Sequence, residues 1–191
     1  MSGRRFLWEF LRHPVQTGAI WPSSAALARR IVEWIDFESA RVVIELGPGT
    51  GAVTSHILER LKPGTKFFAV ERNPAMVEAL RARFPDITVH EASVAALPAL
   101  CAQEGIEVAD AMICGLPWAA FGEALQAELL SALLGCMRPH GQFVTFAYLQ
   151  GLMLPSGRRF AQTLQGKFTE VGRSQTVWRN MPPALVYQCR R

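Results

Sequence analysis

Short β-branched and aromatic runs alternate along this chain with stretches whose apolar positions recur at helical spacing. Continuous or period-two apolar runs read as strands, and apolar positions three and four apart read as helices. Strands are predicted over residues 42–46, 66–70, 87–89, 109–114 and 142–148. Between them the pattern predicts helices over 50–58, 73–83, 93–104 (bent at Pro98) and 124–137. A short helix over 158–165 follows, then two closing strands, 168–178 and 185–189, joined through 179–183. Pro14, Phe84-Pro85 and Pro139-His140-Gly141 punctuate the pattern as breakers and turns. Upstream, Pro22-Ser23-Ser24 starts a helix running to about Trp34, and residues 36–40 connect it to the first strand. Alternating strands and helices imply an α/β domain, doubly wound around a mostly parallel sheet, and the terminal strand pair adds an antiparallel edge. Residues 1–191 form a single domain in this reading, with residues 14–38 a helical lid ahead of the first strand.

The most informative stretch is Val42-Val43-Ile44-Glu45-Leu46-Gly47-Pro48-Gly49-Thr50-Gly51. A strand feeds a glycine-rich turn, and the turn opens a helix whose free N–H groups point into the same space. Gly47, Gly49 and Gly51 let the backbone turn sharply and approach a ligand where a Cβ would clash. Glu71 ends the second strand, about 20 residues on, where a carboxylate accepts both hydroxyls of a ribose. Gly47-x-Gly49-x-x-Ala52 fits the loose dinucleotide fingerprint, whereas Glu45-x-Gly47-x-Gly49-x-Gly51 resembles motif I of class I S-adenosylmethionine (SAM) methyltransferases. SAM is favoured. The first strand starts about 40 residues into the chain, and there is no length for the second domain a dinucleotide enzyme needs.

Composition narrows the setting. The chain has 191 residues, half of them hydrophobic, and a net charge of +4 that permits an anionic partner without requiring one. No apolar run is long enough to span a membrane, and the N-terminus lacks a signal-peptide pattern. Cys101, Cys114, Cys136 and Cys189 are scattered and read as reduced core thiols of a cytosolic protein, with no zinc-ligand spacing. Within residues 2–13, Phe6, Leu7, Phe10 and Leu11 share one helical arc, Arg5, Glu9 and Arg12 the opposite one, and Trp8 the border. That amphipathic helix suits either a membrane surface or packing on the body of the domain.

Motifs along nearly the whole chain resemble the bacterial phospholipid N-methyltransferases. They are Gly18-Ala19-Ile20-Trp21-Pro22-Ser23-Ser24, the Glu45–Gly51 loop, Val70-Glu71-Arg72-Asn73, Arg83-Phe84-Pro85, Gly115-Leu116-Pro117 and Arg179-Asn180-Met181-Pro182-Pro183-Ala184-x-Val186-Tyr187. The resemblance implies a Rossmann-like seven-stranded sheet and repeated methyl transfer from SAM to the amine of phosphatidylethanolamine. It also implies a peripheral enzyme on the inner face of the cell membrane, docked on anionic lipid through residues 2–13. Where relatives carry Gly-Asp after the third strand, this chain has Glu91-Ala92-Ser93, and Trp118 stands where an aliphatic residue is usual. Expected cofactor-binding residues are therefore Glu45, Gly47, Gly49, Gly51, Glu71, Arg72, Glu91, Ala92, Ser93 and Gly115.

On the acceptor side, Tyr148 at the tip of the fifth strand contacts the amine or relays its proton. Trp118 joins Tyr148 in holding a methylated ammonium through cation–π contacts, or packs as a loop aromatic. Arg179, beside Asn180, suits a lipid phosphate. Three rival readings remain. The first is a nucleic-acid methyltransferase similar to the rRNA adenine dimethylases, disfavoured because Gly115 replaces the amide that grips the exocyclic amine. The others are a SAM-binding module without turnover and a small NAD-dependent enzyme.

Overall fold

A computed structural model describes residues 24–191. The expected surface helix over residues 2–13 and the first part of the expected lid lie outside the described residues. The elements in order are α1 (Ala25–Val32), β1 (Val42–Leu46), α2 (Ala52–Leu58), β2 (Lys66–Glu71), α3 (Pro74–Arg83) and β3 (Thr88–Glu91). They continue with α4 (Leu97–Gln103), β4 (Ala109–Cys114), α5 (Glu123–Gly135), β5 (Met137–Tyr148), α6 (Leu149–Leu152), α7 (Pro155–Lys167), β6 (Glu170–Arg173) and β7 (Ala184–Arg190). The seven strands form one sheet in the order β3-β2-β1-β4-β5-β7-β6. The first five run parallel, and β7 is antiparallel to both of its neighbours. This is the doubly wound Rossmann-like sheet with an antiparallel C-terminal pair that the pattern implies.

Side chains on either face of the sheet build two cores. Val43, Ala111, Ile113, Val144 and Val186 face α1 and α2, while Ile44, Leu46, Met112, Phe143 and Tyr187 face α4, α5 and α7. The alternation follows from the two-residue period of a strand. β7 is buried on both faces because it lies inside the sheet, between β5 and β6.

Local chemistry sets most boundaries. Ser24 caps α1 by accepting from the Leu27 N–H at 3.2 Å, and Asn73 caps α3 through the Ala75 and Met76 N–H groups ahead of Pro74. Ser93 caps a short 3-10 turn over Val94–Ala96, and Pro98 then begins α4, which is the interruption expected there.

The structure departs from the pattern in three places. The Pro139-His140-Gly141 turn lies inside β5, which starts at Met137. His140 takes a left-handed φ of 61°, and the strand bulges against β4. The closing strand predicted over 168–178 shrinks to Glu170–Arg173 plus a single bridge from Val177 to Ala184. Leu149–Leu152 is an unforeseen helical turn. Of the expected lid, residues 24–38 are described, and there Leu27, Ala28, Ile31 and Val32 are at most 1% exposed against the sheet. Among the described residues no helix is long and apolar enough to cross a membrane.

Candidate functional site

The carboxyl ends of β1, β2, β3, β4 and β5 meet along one edge of the sheet, where ligands of open α/β folds bind. The glycine loop leaves β1 there and is locked from below. The Gly47 N–H donates to the Val70 carbonyl at 2.8 Å, and the Gly115 N–H donates to the Leu46 carbonyl at 2.7 Å. Gly47, Gly49 and Gly51 all have positive φ, at 69°, 55° and 76°. Their surroundings differ. A Cβ on Gly51 would meet Phe84 Cε2 at 2.6 Å, and one on Gly47 would meet Leu116 Cδ2 at 2.8 Å. A Cβ on Gly115 would meet the Gly47 carbonyl oxygen at 2.3 Å, a backbone atom that cannot swing away. A Cβ on Gly49 would meet nothing within 4 Å, so the loop opens onto free space at its middle glycine.

Two carboxylates flank that space differently. Glu71 is half-buried at the tip of β2, and each of its oxygens accepts one backbone N–H: Oε2 from Gly49 at 3.1 Å, Oε1 from Asn73 at 2.9 Å. Every carboxylate oxygen has a second lone pair, so a fixed Glu71 can still accept two hydroxyls. Glu45 is only 2% exposed, on the β1 face toward α2. Burial pushes its carboxyl up to about 8, against the bond donated by the Thr54 hydroxyl at 2.7 Å and with help from the charge of Glu71. Glu91 pairs in register with Glu71 and is exposed, as are Arg72 and Ser93. The Ser93 hydroxyl accepts from the Ala95 N–H, and the Ala92 N–H donates to the Glu71 carbonyl at 3.0 Å. The open middle of the loop and the pinned, still receptive Glu71 together fit the nucleoside end of SAM.

Two roles in this half escaped the sequence reading. Thr54 is the buried partner of Glu45, and a threonine in the first turn of the helix after the loop is the signal for it. Arg83 donates to the Thr50 carbonyl at 3.0 Å and lies 4.8 Å over the Phe84 ring, so Arg83-Phe84 buttresses the glycine loop from α3.

The acceptor side departs further from expectation. Trp118 is 3% exposed, stacks on Phe160 at 4.4 Å between ring centres, and donates its indole N–H to the Thr145 hydroxyl at 3.2 Å. Tyr148 packs edge-on against Phe146 in the core of the opposite sheet face. Trp118 bonds to Thr145, and successive β5 side chains alternate in direction, so Trp118 and Tyr148 lie on opposite faces of the sheet. They cannot close one cage around an ammonium, and Trp118 is a core residue. Tyr148 is half-buried, and burial raises its phenol pKa, so the hydroxyl is neutral near pH 7.

Asn180 is likewise buried, at 3% exposure. Its Oδ1 accepts the Ser24 N–H at 2.9 Å and its Nδ2 donates to the Pro182 carbonyl at 2.7 Å. The Gly18–Ser24 motif and the Asn180–Pro183 motif, far apart in sequence, thus meet in a hydrogen bond. Arg179, its neighbour, is exposed at the same edge of the sheet. Burial pushes the Cys114 and Cys189 thiols up to about 12, which keeps them protonated and inert.

Comparison with known proteins places this geometry. A family described as a methyltransferase domain matches residues 43–141. The chain is 35% identical over 188 residues to the ornithine lipid N-methyltransferase of Singulisphaera acidiphila, across 97% of this chain and 94% of that one. It is 32% identical to ribosomal RNA small subunit methyltransferase A of a Synechococcus strain, across 57% of this chain and 39% of that one. An O-methyltransferase from Bacillus cereus in complex with SAH shares the fold at 12% identity, with a TM-score of 0.65 over 97% of this chain and 89% of that one. An rRNA methylase from Streptococcus thermophilus shares it at 16% identity and a TM-score of 0.61, over 85% of this chain and 93% of that one.

Proposed function

Because this chain belongs to the SAM-dependent methyltransferases, we propose that it methylates the primary amine of a membrane lipid, phosphatidylethanolamine, at the bilayer surface. One observation carries the reading. The likeness to a lipid N-methyltransferase runs almost end to end and includes the acceptor-side elements, whereas the likeness to the rRNA enzyme covers just over half of this chain. Position 115 argues against a base-gripping amide as well. The Gly47 carbonyl fills the space where any Cβ would stand, so no side chain fits there.

SAM supplies a methyl carbon already activated by its sulfonium, so the chain's task is mainly alignment. Glu71, pinned by Gly49 and Asn73, holds the ribose hydroxyls. The Gly47–Gly51 loop lets the cofactor approach the backbone, and Gly115 brings the β4 tip against that loop. Burial keeps the Glu45 carboxyl neutral near pH 7, and a sulfonium held beside it would offset that burial and favour the carboxylate. Arg72, Glu91, Ala92 and Ser93 line the tips of β2 and β3, where the rest of the nucleoside lies. The ammonium must give up a proton before its nitrogen can attack, and Tyr148 orients the amine and relays that proton toward water through its neutral hydroxyl, while Arg179 meets the anionic part of the headgroup. Residues 2–13 add an amphipathic contact with anionic lipid on the inner face of the membrane. Asn180, buried on backbone partners, shapes the loop that carries Arg179 rather than touching lipid.

The test is transfer of label from methyl-labelled SAM into vesicles containing phosphatidylethanolamine, with an ornithine-headed lipid, RNA and small amines as parallel acceptors. Lipid-extractable label from phosphatidylethanolamine supports the reading. Label in the ornithine-headed lipid alone keeps the lipid amine and replaces the headgroup. Label in RNA alone, or SAM binding without any transfer, overturns it. Tyr148→Phe should slow transfer by roughly 10–100-fold with unchanged SAM affinity.

A further inference from the structure

The described residues leave six large apolar side chains exposed, and the three most exposed are Met153 at 74%, Trp178 at 71% and Met181 at 70%. The other three, Trp34, Val108 and Leu125, are exposed by 46% or less. Trp34 and Val108 sit at the opposite edge of the sheet: Trp34 accepts from Gln142 near the start of the β5–β7 ladder, and Val108 precedes β4. Met153, Trp178 and Met181 instead gather at the ligand edge. Tyr148, the last residue of β5, pairs with Ala184, the first of β7. The Leu149 N–H donates to the Pro183 carbonyl at 3.0 Å, tying the start of α6 to the loop that carries Trp178 and Met181. Met153 follows α6 directly. α7 then folds back onto the β4 tip, where the Ser156 hydroxyl donates to the Ala119 carbonyl at 2.6 Å.

The segments that carry these groups are basic, and the nearby Glu123, at the start of α5, is taken up by Arg159 of α7. From Leu129 to Arg191 the chain has a single acidic residue, Glu170, and it lies at the far edge, paired with Arg190 at 3.7 Å. Arg158, in the first turn of α7, and Arg179 are exposed, and among the described residues neither meets a carboxylate. Exposed tryptophan and methionine side chains amid unpaired arginines suit the boundary of an anionic bilayer: the apolar groups enter the acyl margin while the guanidiniums meet headgroup phosphates. A protein partner would bring carboxylates to the same arginines but offer no reason for the rim to lie beside Tyr148 at the end of β5.

We infer that Met153, Trp178 and Met181, with Arg158 and Arg179, form a folded docking rim that seats the mouth of the site on an anionic phospholipid bilayer, in addition to any contact made by residues 2–13. The inference deepens the lipid reading of the site and rests on it, yet its test needs no lipid amine. Full-length protein and a Met153→Ser/Trp178→Ser/Met181→Ser variant are floated with vesicles of phosphatidylcholine containing about one third phosphatidylglycerol. Neither lipid has a primary amine. Because the three side chains are exposed, the variant should keep the far-ultraviolet circular dichroism and SAM affinity of the parent. Its vesicle affinity should fall by about tenfold or more. Arg158→Glu should weaken binding to the anionic vesicles and leave the weak binding to pure phosphatidylcholine unchanged. Doxyl-labelled acyl chains should quench tryptophan emission in the parent more than in Trp178→Phe. Equal vesicle affinity of parent and triple variant overturns the rim. So does a parent that ignores these vesicles, or a dimer that the triple variant dissociates without loss of vesicle binding. If the lipid-amine reading alone is wrong, vesicle docking and its loss in the variant persist while no label enters any lipid.

Discussion

The two ends of the ligand edge are built on different principles. Between β1 and β4 the backbone itself is interlocked. Gly115 lies so close to Gly47 that a methyl group would strike a carbonyl oxygen, and Glu71 is fixed by two N–H groups. Around β5 and β7 the strand ladder and the Leu149–Pro183 backbone bond hold the base, the side chains of Asn180 and Ser156 tie the loops above it to Ser24 and Ala119, and large apolar groups face outward. A site that binds one invariant cofactor gains from rigidity, since every fixed donor lowers the cost of ordering on binding. A site that meets a disordered lipid surface gains from a rim that is apolar, basic and anchored only at its base. On the proposed function, the contrast leaves cofactor recognition to backbone geometry and acceptor recognition to exposed side chains.

The largest effect on SAM binding expected from breaking this contrast is at Gly115. Gly115→Ala should lower SAM affinity by about 100-fold or more and cost roughly 3 kcal/mol of stability, because the clash is with backbone. Gly49→Ala should cost only about 1 kcal/mol, the strain of its positive φ, yet still weaken SAM binding by filling the open space. Calorimetric titration with SAM beside chemical denaturation separates the two. A Gly115→Ala protein that binds SAM normally would refute the interlock.

The next effect concerns Glu45. Its folded carboxyl is raised from 4.5 to about 8, so the folded state holds a proton that the unfolded state releases. Stability of the cofactor-free protein should therefore be highest below about pH 4.5 on this account, fall as pH rises and level off above about 8. The loss amounts to roughly 5 kcal/mol in full. Glu45→Gln should flatten that fall, and denaturation midpoints between pH 5 and 9 would measure it. An unchanged slope in the variant would show that Glu45 is already ionised.

On the acceptor side, Asn180→Ala leaves the half-buried Ser24 N–H without its partner and should cost about 1 kcal/mol. SAM affinity should hold while transfer to lipid drops, which calorimetry and the label assay report separately. The smallest effect is at Trp118. Trp118→Phe keeps the stack on Phe160, loses the bond to Thr145 and should cost about 1 kcal/mol. Transfer should stay within about twofold. A tenfold fall in transfer without loss of stability would return Trp118 to the acceptor pocket.

The legibility of each region follows the same division. The glycine loop, Glu71, the Asn73-Pro74 start of α3 and the limits of β4 could be read from neighbouring residues, because local turn chemistry and capping decide them. The 93–104 helix broke where Pro98 said it would. Residues whose meaning depends on distant partners were harder to read. Trp118 and Tyr148 follow neighbouring strand tips, yet the side-chain alternation of β5 sends them to opposite faces. Asn180 stands beside Arg179 in a motif, yet it serves Ser24, 156 positions away.

What the chain determines by itself is the strand–loop–helix unit with its glycines and paired carboxylates, the α/β alternation and the methyl-donor site these imply. Those features arise from backbone preferences and periodicities confined to a few residues. Only the tertiary structure decided that β7 inserts between β5 and β6, that Glu45 is buried deeply enough to hold its proton, that Trp118 is core, and that Met153, Trp178 and Met181 share one rim. Each depends on contacts between segments far apart in sequence, and burial and proximity exist only once those segments have packed.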